Sequence, residues 1–150
     1  MPEFPLNDDG ALNIKSLMKL FKYYPLDIQL IWLAELLVCI AYNKEYPNVD
    51  KCKLIKLNTK KTAYVITQDG AKIILLDYCD PVYLDILFNF RNNFVHLGSA
   101  SAVENLKTLR CNINEVNKLA KFAGVVLNWN CCLQDILVPE KYITGEINNG

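Results

Sequence analysis

The chain has 150 residues, of which 52% are hydrophobic and 21% are charged. This profile is typical of one folded globular domain and excludes a largely disordered chain. The 16 basic and 16 acidic side chains cancel, so no global positive field attracts the protein to nucleic acid or to an anionic membrane. Any contact with RNA must therefore be local, at a patch or across a subunit interface.

The N-terminal segment MPEFPLNDDG lacks the basic head and apolar core of a secretory signal. The most apolar run, residues 26–42, contains Asp27, Gln29 and Glu35 and predicts a buried core helix rather than a membrane span. Six cysteines without a secretory signal indicate a reducing, cytoplasmic location. Since the chain has one histidine and no CxxC pair, we expect neither a metal site nor a cofactor.

Two helices are predicted at the start of the domain. Asn13 is a suitable N-cap for a helix that runs to about Tyr24, where Pro25 ends it. Asp27 is placed to favour the start of a second helix, which runs to about Tyr42. This second helix is apolar on nearly all sides, so we expect it to be the central one.

The middle of the chain carries the pattern of a small β structure. The segments KCKLIKL and TAYVIT alternate in part between apolar and polar residues, and Asp69-Gly70 stands between two β-rich runs as in a hairpin turn. We predict a β-meander or hairpin over residues 53–76. The alternative is a helix interrupted by Gly70.

Proline favours the first turn of a helix, and Pro81 is therefore predicted to begin a third helix that ends before Gly98. Its apolar positions keep a roughly helical period; they are Leu84, Leu87, Phe88, Phe94 and Val95. Two further helices are expected, one over residues 101–110 with Ser101 and Glu104 as a capping box, and one from residue 114 or 115 to about 129. Together these elements predict a mainly α, helical-bundle fold.

The whole chain, residues 1–150, is predicted to be a single domain. We expect an ordered core over about residues 12–138 and a loose C-terminal tail beyond it. Trp32 and Trp129 are expected to anchor the core.

The stretch RNNFVHLG lies at the end of the predicted third helix. It contains one of only two arginines in a chain with fourteen lysines, five residues before the only histidine. The segment from Arg91 to His96 is similar to the R-x-x-x-x-H motif of the HEPN superfamily (higher eukaryotes and prokaryotes nucleotide-binding domains). Asn92 matches a position that is commonly Asn, Asp or His in that family. The H-x-Y continuation of many HEPN toxins is absent, because Leu97 and Gly98 follow the histidine.

The resemblance implies two antiparallel helix pairs and an activity as a metal-independent endoribonuclease or as an RNA- or nucleotide-binding domain. In the reaction it implies, His96 moves a proton at neutral pH, Arg91 stabilises negative charge on the phosphate, and Asn92 orients the phosphate or the imidazole. On an ideal helix Arg91 and His96 are about 140° apart. Two copies packed along this helix would bring both pairs into one cleft, so we expect a homodimer. An antitoxin or a larger assembly is a further candidate partner.

Lysines give the middle segment a basic character, and Lys60, Lys61 and Lys72 are the candidate RNA-binding residues. A solvated face explains the same lysines without RNA.

Two other interpretations compete with the HEPN motif. The first is an ordinary helix end in a non-enzymatic, helical protein–protein interaction module. The second, less favoured, is a nucleophile pair of His96 with Cys79 or Cys111. The HEPN interpretation requires Arg91, Asn92 and His96 to be exposed together in a basic groove.

Overall fold

A computed structural model describes residues 4–5, 7–8, 13–45, 67–94, 100–131 and 133. These residues form six α-helices and no strand: α1 (Ile14–Leu20), α2 (Leu26–Glu45), α3 (Gln68–Ile74), α4 (Pro81–Asn92), α5 (Ala100–Cys111) and α6 (Ile113–Leu127). Short 3-10 turns follow α1, over Phe21–Tyr23, and α3, over Leu75–Asp77. The prediction of a mainly α fold is confirmed for this part of the chain.

The central position of α2 is confirmed. Asn13 caps α1, as predicted, by accepting a hydrogen bond from the Ser16 backbone N–H at 3.0 Å. After the turn at Pro25, α2 runs for 20 residues and packs against α3, α4 and α6. Within the described residues it alone is long and apolar enough to span a membrane, but 83% of its most apolar 18-residue window is buried inside the protein.

The predicted hairpin turn at Asp69-Gly70 is wrong, because both residues lie in the first turn of α3. The Thr67 side chain accepts a hydrogen bond from the Gly70 backbone N–H at 2.9 Å and thereby caps the helix. Asp69 stands at the positive end of the helix dipole. Ala71 and Leu75 are fully buried, whereas Ile73 between them is 70% exposed. A strand would place all three side chains on the same face, so this pattern fits a helix and not a strand. The rest of the predicted meander, residues 53–66, lies outside the described residues.

The start of α4 is as predicted. Pro81 is its first residue, and the Asp80 carboxylate accepts from the Val82 backbone N–H at 2.9 Å. Leu84, Leu87 and Phe88 are buried. Because α4 packs against α2, α3, α5 and α6, most of its surface is covered by its own chain. Its predicted end near Gly98 lies outside the described residues.

The capping box predicted at Ser101 is wrong, since α5 already includes Ala100 and Ser101 is its second residue. The last described helix, α6, ends at Leu127, and Asn128 after it adopts the left-handed conformation with φ 55°. The chain then returns over Gly124, where an added Cβ would stand 2.2 Å from the Trp129 carbonyl oxygen. Trp32 is buried, and Trp129 is half-buried with its ring edge-on to a core phenylalanine.

Candidate functional site

Arg91 lies in the last turn of α4 and makes an ion pair with Glu35 of α2. The Arg91 Nη2 atom is 2.7 Å from Glu35 Oε2, and Nε donates to the same oxygen at 2.9 Å. Both side chains are mostly withdrawn from water, with 18% of Arg91 and 15% of Glu35 exposed. The pair therefore connects α4 to the central helix in an environment that water screens only weakly.

Asn92, the next residue, is held by Gln68 at the start of α3. The two side-chain amides donate to each other, from Asn92 Nδ2 to Gln68 Oε1 at 2.8 Å and from Gln68 Nε2 to Asn92 Oδ1 at 2.9 Å. Asn92 Oδ1 also accepts from Arg91 Nη1 at 3.2 Å. Glu35, Gln68, Arg91 and Asn92 thus form one hydrogen-bonded group, called here the Arg91 cluster, at the C-terminal end of α4.

The Arg91 guanidinium keeps some capacity to bind a further group. A guanidinium has five N–H donors, and the contacts within the described residues use three of them, on Nε, Nη1 and Nη2. No described residue engages the other two donors, one on each terminal nitrogen, and these could bind an anion such as a phosphate. The Glu35 carboxylate offsets the arginine charge, however, so the cluster is a positioned donor site rather than a strongly positive groove.

The sequence-predicted site residues are only partly brought together. Arg91 and Asn92 share the cluster, whereas His96, Lys60 and Lys61 lie outside the described residues. Lys72 does not contact the cluster: its Nζ is 2.7 Å from Asp85 and 3.2 Å from Asp69. The hydrogen bond that Lys72 donates to Asp85, together with the nearby Asp69 carboxylate, raises the pKa of Lys72. Two carboxylates therefore offset its charge, and an RNA contact by Lys72 stays a prediction.

Sequence reasoning missed Glu35 and Gln68 as members of the site. The signal for Glu35 was available, because a carboxylate in the middle of a helix that is buried on nearly all sides needs a partner. No comparable signal marked Gln68, since the segment before it was interpreted as β structure. Only the fold of α3 against α4 places Gln68 beside Asn92.

The environment of Cys79 argues against a nucleophile pair of Cys79 with His96. Burial raises the pKa of the Cys79 thiol to about 11, so the thiol is protonated at neutral pH and is a poor nucleophile. Cys111 is exposed, and its distance from His96 is not defined because His96 lies outside the described part of the chain. Within that part, no group of three or more His, Cys, Asp or Glu side chains is arranged to hold a metal ion.

Comparison with known proteins gives no relative: no family model, no curated protein and no solved structure matches this chain. The resemblance to the HEPN superfamily therefore rests on the six residues from Arg91 to His96 and on the helical architecture. The Arg91 cluster must be interpreted from its own chemistry.

Proposed function

We propose that this protein is a cytoplasmic HEPN-type domain that binds RNA at the C-terminal end of α4 and cleaves it without a metal ion. The observation that carries the proposal is the state of Arg91. Its guanidinium is fixed by Glu35 and Asn92 and has two N–H donors that no described residue engages, and Arg91 stands five residues before the only histidine of the chain. A fixed arginine fork and a histidine together are the minimum set of groups for chemistry on a phosphodiester.

In the proposed reaction the 2′-hydroxyl of the RNA attacks the adjacent phosphorus, and the bond to the 5′-oxygen of the next nucleotide breaks. One proton leaves the 2′-oxygen and one proton reaches the departing 5′-oxygen, so the products are a 2′,3′-cyclic phosphate and a 5′-hydroxyl. We assign a proton transfer to His96, whose unperturbed pKa lies near neutrality. We assign the stabilisation of charge on the phosphate oxygens to the two remaining donors of Arg91.

The offset of the Arg91 charge by Glu35 has a consequence for binding. A site with little net charge attracts the RNA backbone weakly, and log K falls with log salt in proportion to the number of phosphates neutralised. We therefore expect weak RNA binding with a shallow salt dependence at the Arg91 cluster itself. The predicted contacts from Lys60 and Lys61 would add to both the affinity and the salt dependence.

We propose that the protein acts as a homodimer, because an ideal helix would place Arg91 and His96 about 140° apart, too far for one copy to bring both to one phosphate. Four helices of the same chain cover α4, so the subunit contact is expected at its C-terminal end and along its exposed positions, such as Val82 and Asn89. Sedimentation should show a dimer at micromolar concentration. A monomer at high concentration would remove the shared-site model.

The test of function is an assay of the purified protein on mixed cellular RNA in the presence of EDTA. Wild type should cut RNA and leave 2′,3′-cyclic phosphate ends. His96→Ala should lower the rate by ~100-fold or more, the typical cost of losing a general acid or base. Arg91→Lys should lower the rate of cleavage by a comparable factor, because lysine keeps the charge but loses the planar fork.

The variants are chosen so that the fold survives. Arg91→Ala would leave the mostly covered Glu35 carboxylate without its arginine, so Arg91→Lys is the better probe of Arg91. Arg110→Lys in α5 is the matched control, the same chemical change at the only other arginine, and it should keep full activity. Equal cleavage by wild type and His96→Ala would refute the ribonuclease proposal, and binding without cleavage would restrict the function to RNA binding.

Failure of the wild type both to cut and to bind RNA would favour the interaction module instead. The offset of the Arg91 charge by Glu35 is the observation that favours this second candidate. In that case Arg91 has a structural role, which is to hold the end of α4 against α2. Exposed apolar side chains would then be the first surfaces to examine, and the most exposed of them are Tyr23, Ile73 and Val125.

A further inference from the structure

Glu35 occupies an unusual position for a carboxylate. It lies in the middle of α2, where Trp32, Ala34, Leu36 and Leu37 are all at most 1% exposed. Moving a carboxylate into such surroundings has a desolvation cost, and the ion pair with Arg91 offsets at least part of it. If the contact between α2 and α4 served packing alone, two apolar side chains would serve at least as well. The charged pair therefore calls for a second role.

The geometry of the pair restricts the arginine strongly. The Nε and Nη2 atoms both meet a single oxygen, Glu35 Oε2, at 2.9 and 2.7 Å. On another edge of the guanidinium, Nη1 meets Asn92 Oδ1 at 3.2 Å, and Gln68 fixes the orientation of that amide. Contacts on two edges define the plane of the guanidinium. The directions of its two remaining N–H donors are then defined as well.

We propose that Glu35 is a positioning residue for RNA cleavage, acting through Arg91; this inference rests on the proposed function. Glu35 holds the fork in the orientation that the phosphate requires in the transition state, so the orientation need not be acquired during the reaction. It also lowers the net charge that the ground-state phosphate meets. An extra negative charge develops on the phosphorane oxygens, so fixed donors favour the transition state over the bound substrate.

The test separates binding from chemistry with Glu35→Gln, which keeps the length of the side chain and removes its charge. The probe for binding is an oligonucleotide with 2′-O-methyl groups, which has no 2′-hydroxyl to attack and cannot be cut. Removal of the carboxylate leaves Arg91 more positive, so the variant should bind this probe as tightly as wild type or more tightly. Its kcat for unmodified RNA should fall by roughly 10- to 100-fold, because Arg91 is no longer fixed.

A matched control is Asp85→Asn, which removes one carboxylate from the exposed ion pair with Lys72. It changes the net charge of the protein by the same amount but should leave kcat unchanged. A purely structural role of Glu35 would lower the number of binding sites per mole of protein together with kcat. The proposed role leaves that number at the wild-type value while kcat falls and KM does not rise.

Each outcome has a definite meaning. If wild type cuts RNA and Glu35→Gln cuts it with the same kcat, the positioning role is overturned while the ribonuclease function stands. A parallel loss of kcat and of binding sites in Glu35→Gln overturns it too, in favour of a structural role. If wild type binds or cuts no RNA at all, the proposed function itself fails and the role of Glu35 in it fails as well.

Discussion

Among the described residues, two ion pairs join α4 to neighbouring helices, and they share one shortest distance but have different surroundings. Lys72 of α3 and Asp85 approach to 2.7 Å, and Arg91 and Glu35 of α2 approach to the same 2.7 Å. The side chains of the first pair are 26% and 50% exposed, those of the second 18% and 15%. Distance alone therefore does not define the strength of an ion pair, since water screens the exposed Lys72–Asp85 pair strongly and the more covered Arg91–Glu35 pair only weakly.

The two cations also differ in how they are held. Lys72 divides its ammonium group between Asp85 and Asp69, and an ammonium group can rotate to meet either partner. Arg91 presents a rigid plane with contacts on two edges. The Lys72–Asp85 pair is therefore a surface feature. The Arg91–Glu35 pair instead fixes the direction of the two guanidinium N–H groups that no described residue accepts from.

The largest effect is expected from Arg91→Ala. It leaves the Glu35 carboxylate in an apolar helix contact without its arginine, which should lower the free energy of unfolding by roughly 3 kcal/mol. Chemical denaturation followed by circular dichroism measures this value. A loss under about 1 kcal/mol would mean that the pair behaves like an exposed one, and the comparison would fail.

A paired substitution, Glu35→Leu with Arg91→Met, sharpens the same contrast. Removal of both charges also removes their desolvation cost, so the free energy of unfolding should return to within about 1 kcal/mol of wild type. RNA cleavage should still be abolished, because no fork remains. Recovery of stability together with full cleavage would show that Arg91 has no part in the chemistry.

Gly70→Ala tests the helix that carries both Gln68 and Lys72. In a helix alanine is favoured over glycine, so the free energy of unfolding should rise by roughly 0.5–1 kcal/mol. In a hairpin turn that requires positive φ the same change would destabilise the protein. The sign of the change in a denaturation experiment therefore distinguishes the two structures.

The smallest effect is expected from Lys72→Met, which breaks the exposed pair. The free energy of unfolding should change by no more than about 0.5 kcal/mol at neutral pH. The pKa of Lys72 is raised above its ordinary 10.5 in the folded protein. Its small stabilisation is therefore complete below pH 10.5 and is lost as the pH rises through the folded-state pKa. A loss comparable to that of Arg91→Ala would remove the distinction between the pairs.

Most of the helical framework could be predicted from local signals. Asn13 before an apolar-periodic run and Pro81 at a first turn both mark helix starts, and both predictions are confirmed. The Asp69-Gly70 prediction failed because the same dipeptide suits a hairpin turn or the first turn of a helix. Which one forms depends on the cap from Thr67 and on the burial of Ala71 and Leu75, and this burial comes from tertiary packing.

The candidate site was only half predictable for a related reason. Arg91 and Asn92 belong to a sequence motif, whereas Glu35 and Gln68 are 56 and 24 residues away from their partners along the chain. Their contacts follow from the packing of α2 and α3 against α4. Sequence patterns describe the periodicity of each helix but do not specify which polar positions on neighbouring helices face each other.

Binding of RNA phosphate by the fixed Arg91 fork can be followed directly through the NMR signal of the Arg91 Nε–H group. The chain has only two arginines, so the signals of Arg91 and Arg110 can be assigned by a single substitution at either residue. Titration with an uncleavable 2′-O-methyl oligonucleotide should shift or broaden the Arg91 signal and leave the Arg110 signal unchanged. An Arg91 signal that stays in place at saturating oligonucleotide would contradict the claim and leave Arg91 with a structural role alone.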